Sequence, residues 1–273
     1  MVATTRLRTL LQKSAPVQLA KISSSKTKSR RRLCAFVSKT SNKGVYKKAY
    51  RGVTKRLDLK LFSKGSLPRA KLHTIQGQRG WEGKNSGRCR GTAIDNQLSS
   101  IANNTSTRFK WASIITNGGK RSSGLYRPTF IALQALKAHG LRPVCAQRGV
   151  CSNAHNVATA IDMLCWKSST NELWIVEIKC GFEDVRDKPA KRAGHTMHFA
   201  SPFSACIDHA FHRHLAQLAL TYHMFSKEKT LIDRLRSEYG LRDLRGCILY
   251  IGEKGGNKNG PELDIAVDPL EGT

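Results

Sequence analysis

The first 57 residues contain no aspartate or glutamate. They hold 16 lysines and arginines, so the segment carries +16 and has no internal acids to pair with. The chain nowhere contains an apolar run approaching the roughly eighteen residues of a membrane-spanning helix. The N-terminus also lacks the apolar core of a secretory signal. The eight cysteines (34, 89, 145, 151, 165, 180, 206 and 247) form no C-x-x-C pair and no tight cluster. This scatter gives no support to an iron–sulfur centre and reads as reduced thiols in an intracellular protein, with Cys165 and Cys180 as small buried apolar side chains. No internal repeat is visible, and nothing reads as a base-specific recognition module.

What is present is apolar content for a core and a large excess of positive charge. The 273 residues are 40% hydrophobic and carry a formal charge of +28. Beyond the first segment, residues 58–225 carry +13 (23 basic, 10 acidic) and residues 226–273 carry −1 (8 basic, 9 acidic). A basic tail on a basic body points to a polyanion, most simply nucleic acid, rather than to a membrane. Residues 1–69 read as a basic, disordered N-terminal arm or targeting segment, and 70–273 as one folded domain. The arm is Arg- and Ser-rich and acid-free, which suits a mitochondrial transit peptide and a nuclear-import or DNA-binding arm equally.

The most informative stretch is Ala160 to Lys179. Two runs rich in apolar and β-branched residues, Ala160–Trp166 and Glu172–Lys179, flank the polar loop Lys167–Asn171 and predict a β-hairpin. If the loop centres between Ser169 and Thr170, Asp162 lies opposite Glu177, and directly opposed residues share a face. Lys179, two residues on, shares it too. The competing interpretation is a surface Glu–Lys pair worth at most about 1 kcal/mol. Trp174, Ile175, Val176 and Ile178 argue against it, because they mark a strand covered on both sides, where unpaired charge is costly.

Around this hairpin the pattern predicts helices at about 92–103, 128–139, 203–226 and 228–239, and strands at about 143–150, 158–166, 172–180 and 247–251. A last short strand is predicted within 263–267. A Gly-rich basic stretch covers Gly77–Gly91. The basic loop Asn117–Gly124 carries Lys120 and Arg121 and is not a Walker loop, since Lys120 is followed by Arg121. A linker of some twenty residues after Cys180 carries Arg186, Lys188, Lys191, Arg192, His195 and His198; connections of that length are often functional. Gln147 stands on the first strand, where a carboxylate would serve a metal better, and is left outside the site. The pattern His209-x-x-His212-x-His214 cannot close on one ion from a helix, because 212 and 214 point about 200° apart.

Asp162, Glu177-Ile178-Lys179 and the order helix, three strands, helix, strand resemble the PD-(D/E)XK nuclease superfamily over about residues 75–255. Gln217 to Tyr222 on the following helix is similar to the RecB-like and lambda-exonuclease-like branch. Here Tyr222 is five residues after Gln217 rather than four, which puts Tyr222 on the core stripe and leaves Gln217 as the site residue. The resemblance implies an α/β fold, a mixed central sheet flanked by helices in the order αβββαβ. It also implies a Mg²⁺ or Mn²⁺ site made by Asp162, Glu177 and the Ile178 carbonyl. Asp95 occupies the place of that branch's extra ligand and reads either as a ligand or as a solvated or capping residue. Lys179 would orient the attacking water, and Gln217 would hold a water or a phosphate oxygen.

These assignments would make the chain a metal-dependent deoxyribonuclease with little sequence preference, acting as an exonuclease or on particular DNA structures, with double-stranded DNA as the expected partner and single-stranded DNA as the alternative. Lys120, Arg121, Arg192 and His214 are the candidate nucleic-acid contacts, with a solvated role for His214 as the alternative. The competing functions are a non-catalytic DNA-binding protein that keeps the same fold, and a basic RNA- or ribosome-associated protein. The compartment implied is intracellular, a nucleus or a mitochondrion, and a viral origin would suit the charge.

Overall fold

Apolar alternation and turn chemistry dictate the central hairpin, and the rest of the molecule is assembled around it. The computed structural model describes residues 2–22, 33–38, 49–68, 87–106, 108–116, 124–180, 186–251 and 263–264. The elements, in order, are α1 (Val2–Lys13), β1 (Val17–Ile22), β2 (Leu33–Ser38), β3 (Ala49–Gly52), α2 (Val53–Lys60), α3 (Gly87–Ala102), α4 (Trp111–Thr116) and α5 (Arg127–Ala138). They continue with β4 (Leu141–Ser152), β5 (Val157–Lys167), β6 (Glu172–Cys180), β7 (Lys191–Arg192), β8 (His195–Thr196), α6 (Ala210–Ser226), α7 (Lys229–Tyr239), β9 (Asp243–Ile251) and β10 (Leu263–Asp264).

The result is an α/β protein built on an eight-stranded mixed sheet in the order β1-β2-β3-β5-β6-β9-β10, with β4 on the other edge of β5. β4 runs antiparallel to β5 and β5 to β6, whereas β9 is parallel to β6, so the α6–α7 pair makes the crossover. Gly240 ends α7 in the left-handed region at φ 68° and donates back to Arg236 and Leu235, a turn that a Cβ would disfavour. Helices cover both faces. Leu7, Leu11, Val53, Leu57, Leu218 and Leu235 pack with Leu173, Ile175 and Ile248 on one side. Ile94, Leu98, Ile114, Leu133 and Leu136 pack with Met163, Val176 and Leu249 on the other.

Strand β5 is forked. β4 follows one edge from Val157 to Lys167, while the opposite edge pairs with β3 at Val157–Ala158 and with β6 only from Met163 onward. Among the described residues no strand covers positions 159–162 on that edge, so the sheet opens beside Asp162. Val53 and Leu57 of α2 share a core cluster with Ile161 beneath the opening.

Residues 1–69 are not a disordered arm where they are described. α1 buries Leu7 and Leu11, spaced one turn apart, in the main core. Arg8 Nε donates to Ala102 O at 2.8 Å and Val144 O at 3.1 Å, and Arg148 Nε donates to Leu11 O at 2.8 Å. β1 passes so close to β4 that a Cβ at Gly149 would collide with the Val17 carbonyl. The segment is folded because its few apolar residues meet a matching surface on β4, a long-range fit that local composition does not report. The basic run Lys26–Arg32, most of the Gly-rich 77–91 stretch, and Lys120 and Arg121 lie outside the described residues.

One further boundary differs from expectation. The helix predicted from 203 begins at Ala210, where His209 supplies the N-cap and its ring accepts from His212 N–H at 3.2 Å. From Arg186 onward the preceding linker contains the β7–β8 hairpin. Among the described residues no helix is long and apolar enough to cross a membrane.

Candidate functional site

The β5–β6 register runs from Lys167↔Glu172 to Met163↔Val176, so the next opposed pair is Asp162 and Glu177, where the strands part. The Asp162 side chain fills the gap: its Oδ2 accepts the Ile178 N–H at 2.9 Å, a donor that a continuing ladder would have taken. In a strand the N–H and C=O of one residue point to the same edge. The Ile178 carbonyl therefore faces the opening beside Asp162 rather than β9.

Glu177 is buried and its Oε1 accepts two donors, Lys179 Nζ at 2.5 Å and Gln217 Nε2 at 2.6 Å. Gln217 reaches it from α6 because the stripe Ala210, His214, Gln217 and Thr221 faces the sheet, and Lys179 Nζ lies 3.4 Å from Gln217 Oε1. Leu218, the next residue, packs on Gly246 of β9 and holds α6 close. Tyr222 points away from the carboxylates and donates to Leu244 O at 3.0 Å. The structure thus joins Glu177, Lys179 and Gln217 on the α6 face, with Asp162 at the opposed position on β5.

Asp162 is pushed well above the usual carboxylate range, by burial first and then by the Glu177 charge, against the opposing pull of Lys179 and the Ile178 N–H. Asp95 on α3 is also raised, by burial, with Glu177 adding to the effect. Asp162 is raised by Asp95 as well, although α3 packs on the opposite face of the sheet from α6. Asp95 is held by Gln147 Nε2, at 3.1 Å to Oδ1 and 3.2 Å to Oδ2, and by Ser99 Oγ at 3.4 Å.

Gln147 is the residue that sequence reasoning left out. It sits in β4 between Ala146↔Met163 and Arg148↔Ile161, opposite Asp162, and its φ of 56° is left-handed. A non-glycine residue held there inside a strand is costly, and such strain collects at functional sites. Its side chain carries no charge or metal affinity that would single it out in the sequence.

Other predicted residues are placed elsewhere. His214 is not a surface phosphate contact: it is buried, with Nδ1 2.9 Å from Tyr250 Oη. Burial, with Lys179 and Arg213 nearby, lowers its pKa to about 3, so it is a neutral imidazole. His209 and His212 stack on each other with centroids 3.8 Å apart, away from His214, so the three histidines do not converge. Arg192 is exposed on β7. Cys145, Cys151, Cys165, Cys180, Cys206 and Cys247 are free thiols, and burial raises Cys165 and pushes Cys247 up to about 12.

Among the described residues no group of three or more His, Cys, Asp or Glu side chains is gathered tightly enough to enclose a metal. The donor set does suit a hard cation that keeps most of its waters. Two carboxylates that repel each other and a backbone carbonyl face one opening, and Mg²⁺ is commonly held by one or two carboxylates together with substrate phosphate. No family model, curated protein or solved structure matches this chain.

Proposed function

We propose that the protein is a metal-dependent nuclease of PD-(D/E)XK type that hydrolyses phosphodiester bonds in DNA with little sequence specificity. The observation that carries this reading is the opposed pair Asp162 and Glu177 at the fork of β5, with Lys179 and Gln217 both bonded to Glu177. A buried Asp162 carboxyl raised by burial and by the Glu177 charge is a reason to look for a cation. With α4, α5, the β7–β8 hairpin and α7 set aside, the order α3, β4, β5, β6, α6, β9 is the one the resemblance implies.

Asp162, Glu177 and the Ile178 carbonyl would hold Mg²⁺ or Mn²⁺, with Asp95 as the fourth group drawn toward them. Such an ion, when bound, stabilises charge on the phosphoryl oxygens and lowers the pKa of its water. Lys179 supplies a fixed positive charge beside the carboxylates, which favours an anionic phosphate over bulk water. Gln217 fixes the Glu177 carboxylate and so keeps one oxygen from swinging out of the opening. The +28 chain supplies sequence-independent affinity that falls with salt. A protein acting this way belongs where DNA is, in a nucleus or mitochondrion.

The decisive experiment incubates linear and circular DNA with the protein and Mg²⁺ or Mn²⁺, beside Glu177→Gln. Metal-dependent cleavage that vanishes in the variant supports the nuclease, and sparing of circles assigns it to DNA ends. Tight binding without cleavage by either protein would favour a DNA-binding protein that keeps the fold without hydrolysis.

A further inference from the structure

Between β6 and α6 the chain makes an excursion over residues 186–209 that the cleft itself does not require. Its root is built into the fold. Ala190 N–H donates to Asp208 O at 2.6 Å, Asp208 N–H to Met197 O at 2.9 Å and Phe199 N–H to Cys206 O at 3.0 Å. The Asp208 side chain is fully buried and accepts from Ser63 N–H at 2.8 Å and from Arg213 at 2.6 and 2.8 Å. These contacts pin the excursion to α6 and to the loop after α2, which also pairs with it through Ser66 and Lys191.

Beyond the root the excursion stands in solvent. Lys188, Lys191, Arg192, His195 and His198 are exposed, with Asp187 as the one exposed acid among its residues. Phe203 is 54% exposed and Ile207 41% exposed. At the base, the Arg186 guanidinium lies 5.5 Å from the ring centroid of Tyr250, which pairs with Lys179 in the sheet and bonds His214. A basic projection therefore starts at the wall of the carboxylate cleft and carries an uncovered phenyl ring.

Cations at the base and a bare aromatic ring beyond them make the combination that binds single-stranded nucleic acid, where charge tracks the backbone and rings stack on bases. Fully paired bases inside a duplex hide their faces from such a ring. An acidic protein surface would match the charge but offers no run of flat rings for Phe203, which successive unpaired bases supply.

We propose that the 186–209 projection holds an unpaired DNA strand, with Lys191 and Arg192 on phosphates and Phe203 stacked on a base. The proposal deepens and rests on the nuclease assignment, since it makes the substrate of that cleft DNA with a single-stranded or frayed end.

The test is equilibrium binding of the full chain in EDTA to 2-aminopurine-labelled DNA: single strand, duplex with an unpaired overhang, and blunt duplex. Unpaired substrates should bind at least about fivefold tighter than blunt duplex, with 2-aminopurine emission changed only in the unpaired segment. Phe203→Ala should weaken binding to unpaired DNA about 5- to 100-fold while leaving blunt duplex unaffected, and Phe203→Trp should restore it. The double change Lys191→Ala, Arg192→Ala should reduce the slope of log affinity against log salt by about 1.4 for single strands. Both positions are exposed, so melting temperatures should match wild type.

Equal affinity for blunt and overhanging duplex, wild-type binding by Phe203→Ala, or tighter binding of single-stranded RNA of the same sequence would each overturn the proposal. Because nothing is cleaved in EDTA, failure here is distinct from failure of the nuclease assignment. The latter would appear as absent hydrolysis with the binding preference intact.

Discussion

Gln217 Nε2 donates to Glu177 Oε1 at 2.6 Å, so a helix side chain fixes a carboxylate on the neighbouring strand. Lys179 bonds the same oxygen from two residues along that strand. The carboxylate is thus oriented from two elements, β6 and α6, and Leu218 of α6 lies over Gly246 of β9, the strand beside β6. Gln217→Ala should lower kcat about 10- to 100-fold, the usual cost of removing a group that orients a ligand. Gln217→Glu should be worse, because it sets a second negative charge against Glu177. Steady-state cleavage of linear DNA with circular dichroism of each variant checks both expectations.

Asp162→Asn separates function from stability. The folded state raises the Asp162 carboxyl above its unfolded value, so the acid disfavours folding at neutral pH, and this cost shrinks as the pH falls through the folded pKa and vanishes only below the unfolded value. Asparagine keeps an oxygen for the Ile178 N–H and removes the charge. In metal-free buffer at pH 7.5 the variant should therefore be at least as stable as wild type, with the advantage shrinking on acidification, while cleavage is lost. Urea denaturation of both proteins at pH 7.5 and pH 5, beside a cleavage assay, reads the two effects separately.

The hairpin that carries the site was legible because its two strands are covered on both faces and its loop is short. Those features set the register that opposes Asp162 and Glu177, whereas Gln217 came from the resemblance to the RecB-like and lambda-exonuclease-like branch. What was not legible depends on contacts distant in sequence or on backbone conformation. Leu7 and Leu11 look solvated among basic neighbours, and their burial depends on partners far along the chain, as the bond from Arg148 to Leu11 O, 137 residues apart, illustrates. Phe203 reads as the start of α6, and its exposure follows from the bonds that fold 186–209 back on itself. Gln147 has a side chain of ordinary chemistry, and its left-handed φ has no signature in residue type.

His214 should make the protein acid-sensitive. Its folded pKa of about 3 lies below the unfolded value of 6.5, so the unfolded chain binds the extra proton between them. Stability from this group is complete above pH 6.5 and falls as the pH drops toward 3, by roughly 1.4 kcal/mol per pH unit. His214→Gln should remove this part of the slope and keep a partner for Tyr250 Oη. Comparing denaturation midpoints of the two proteins from pH 7 to pH 4.5 tests it, and parallel curves would refute it.

Arg148 joins the N-terminal helix to the rest of the fold. Its guanidinium, fully buried, donates to Glu228 at 2.9 and 2.5 Å and to Ser14 Oγ at 3.2 Å, and lies 4.9 Å from the centroid of the Phe225 ring. Arg148→Met should destabilise by about 3 kcal/mol or more, because Glu228 is left largely buried without its cation. Amide exchange should accelerate in α1 before it does so in β5, since Leu11 O loses its donor. Uniform acceleration across both elements would mean that α1 does not depend on this residue.

Gln147 offers the sharpest division between backbone and side-chain roles. Its φ of 56° disfavours any residue with a Cβ, while its amide is the group that holds both Asp95 oxygens. Gln147→Gly should relieve the backbone by about 1 kcal/mol yet free Asp95. Gln147→Ala should free Asp95 without relieving the backbone. If Gln147 serves the site through Asp95, both variants should lose cleavage to a similar degree while their stabilities move apart, and Gln147→Asn should recover part of the activity. If the residue matters only for the shape of β4, cleavage should instead follow stability, with glycine the most active of the three. Melting temperature and kcat measured on the same preparations distinguish the two.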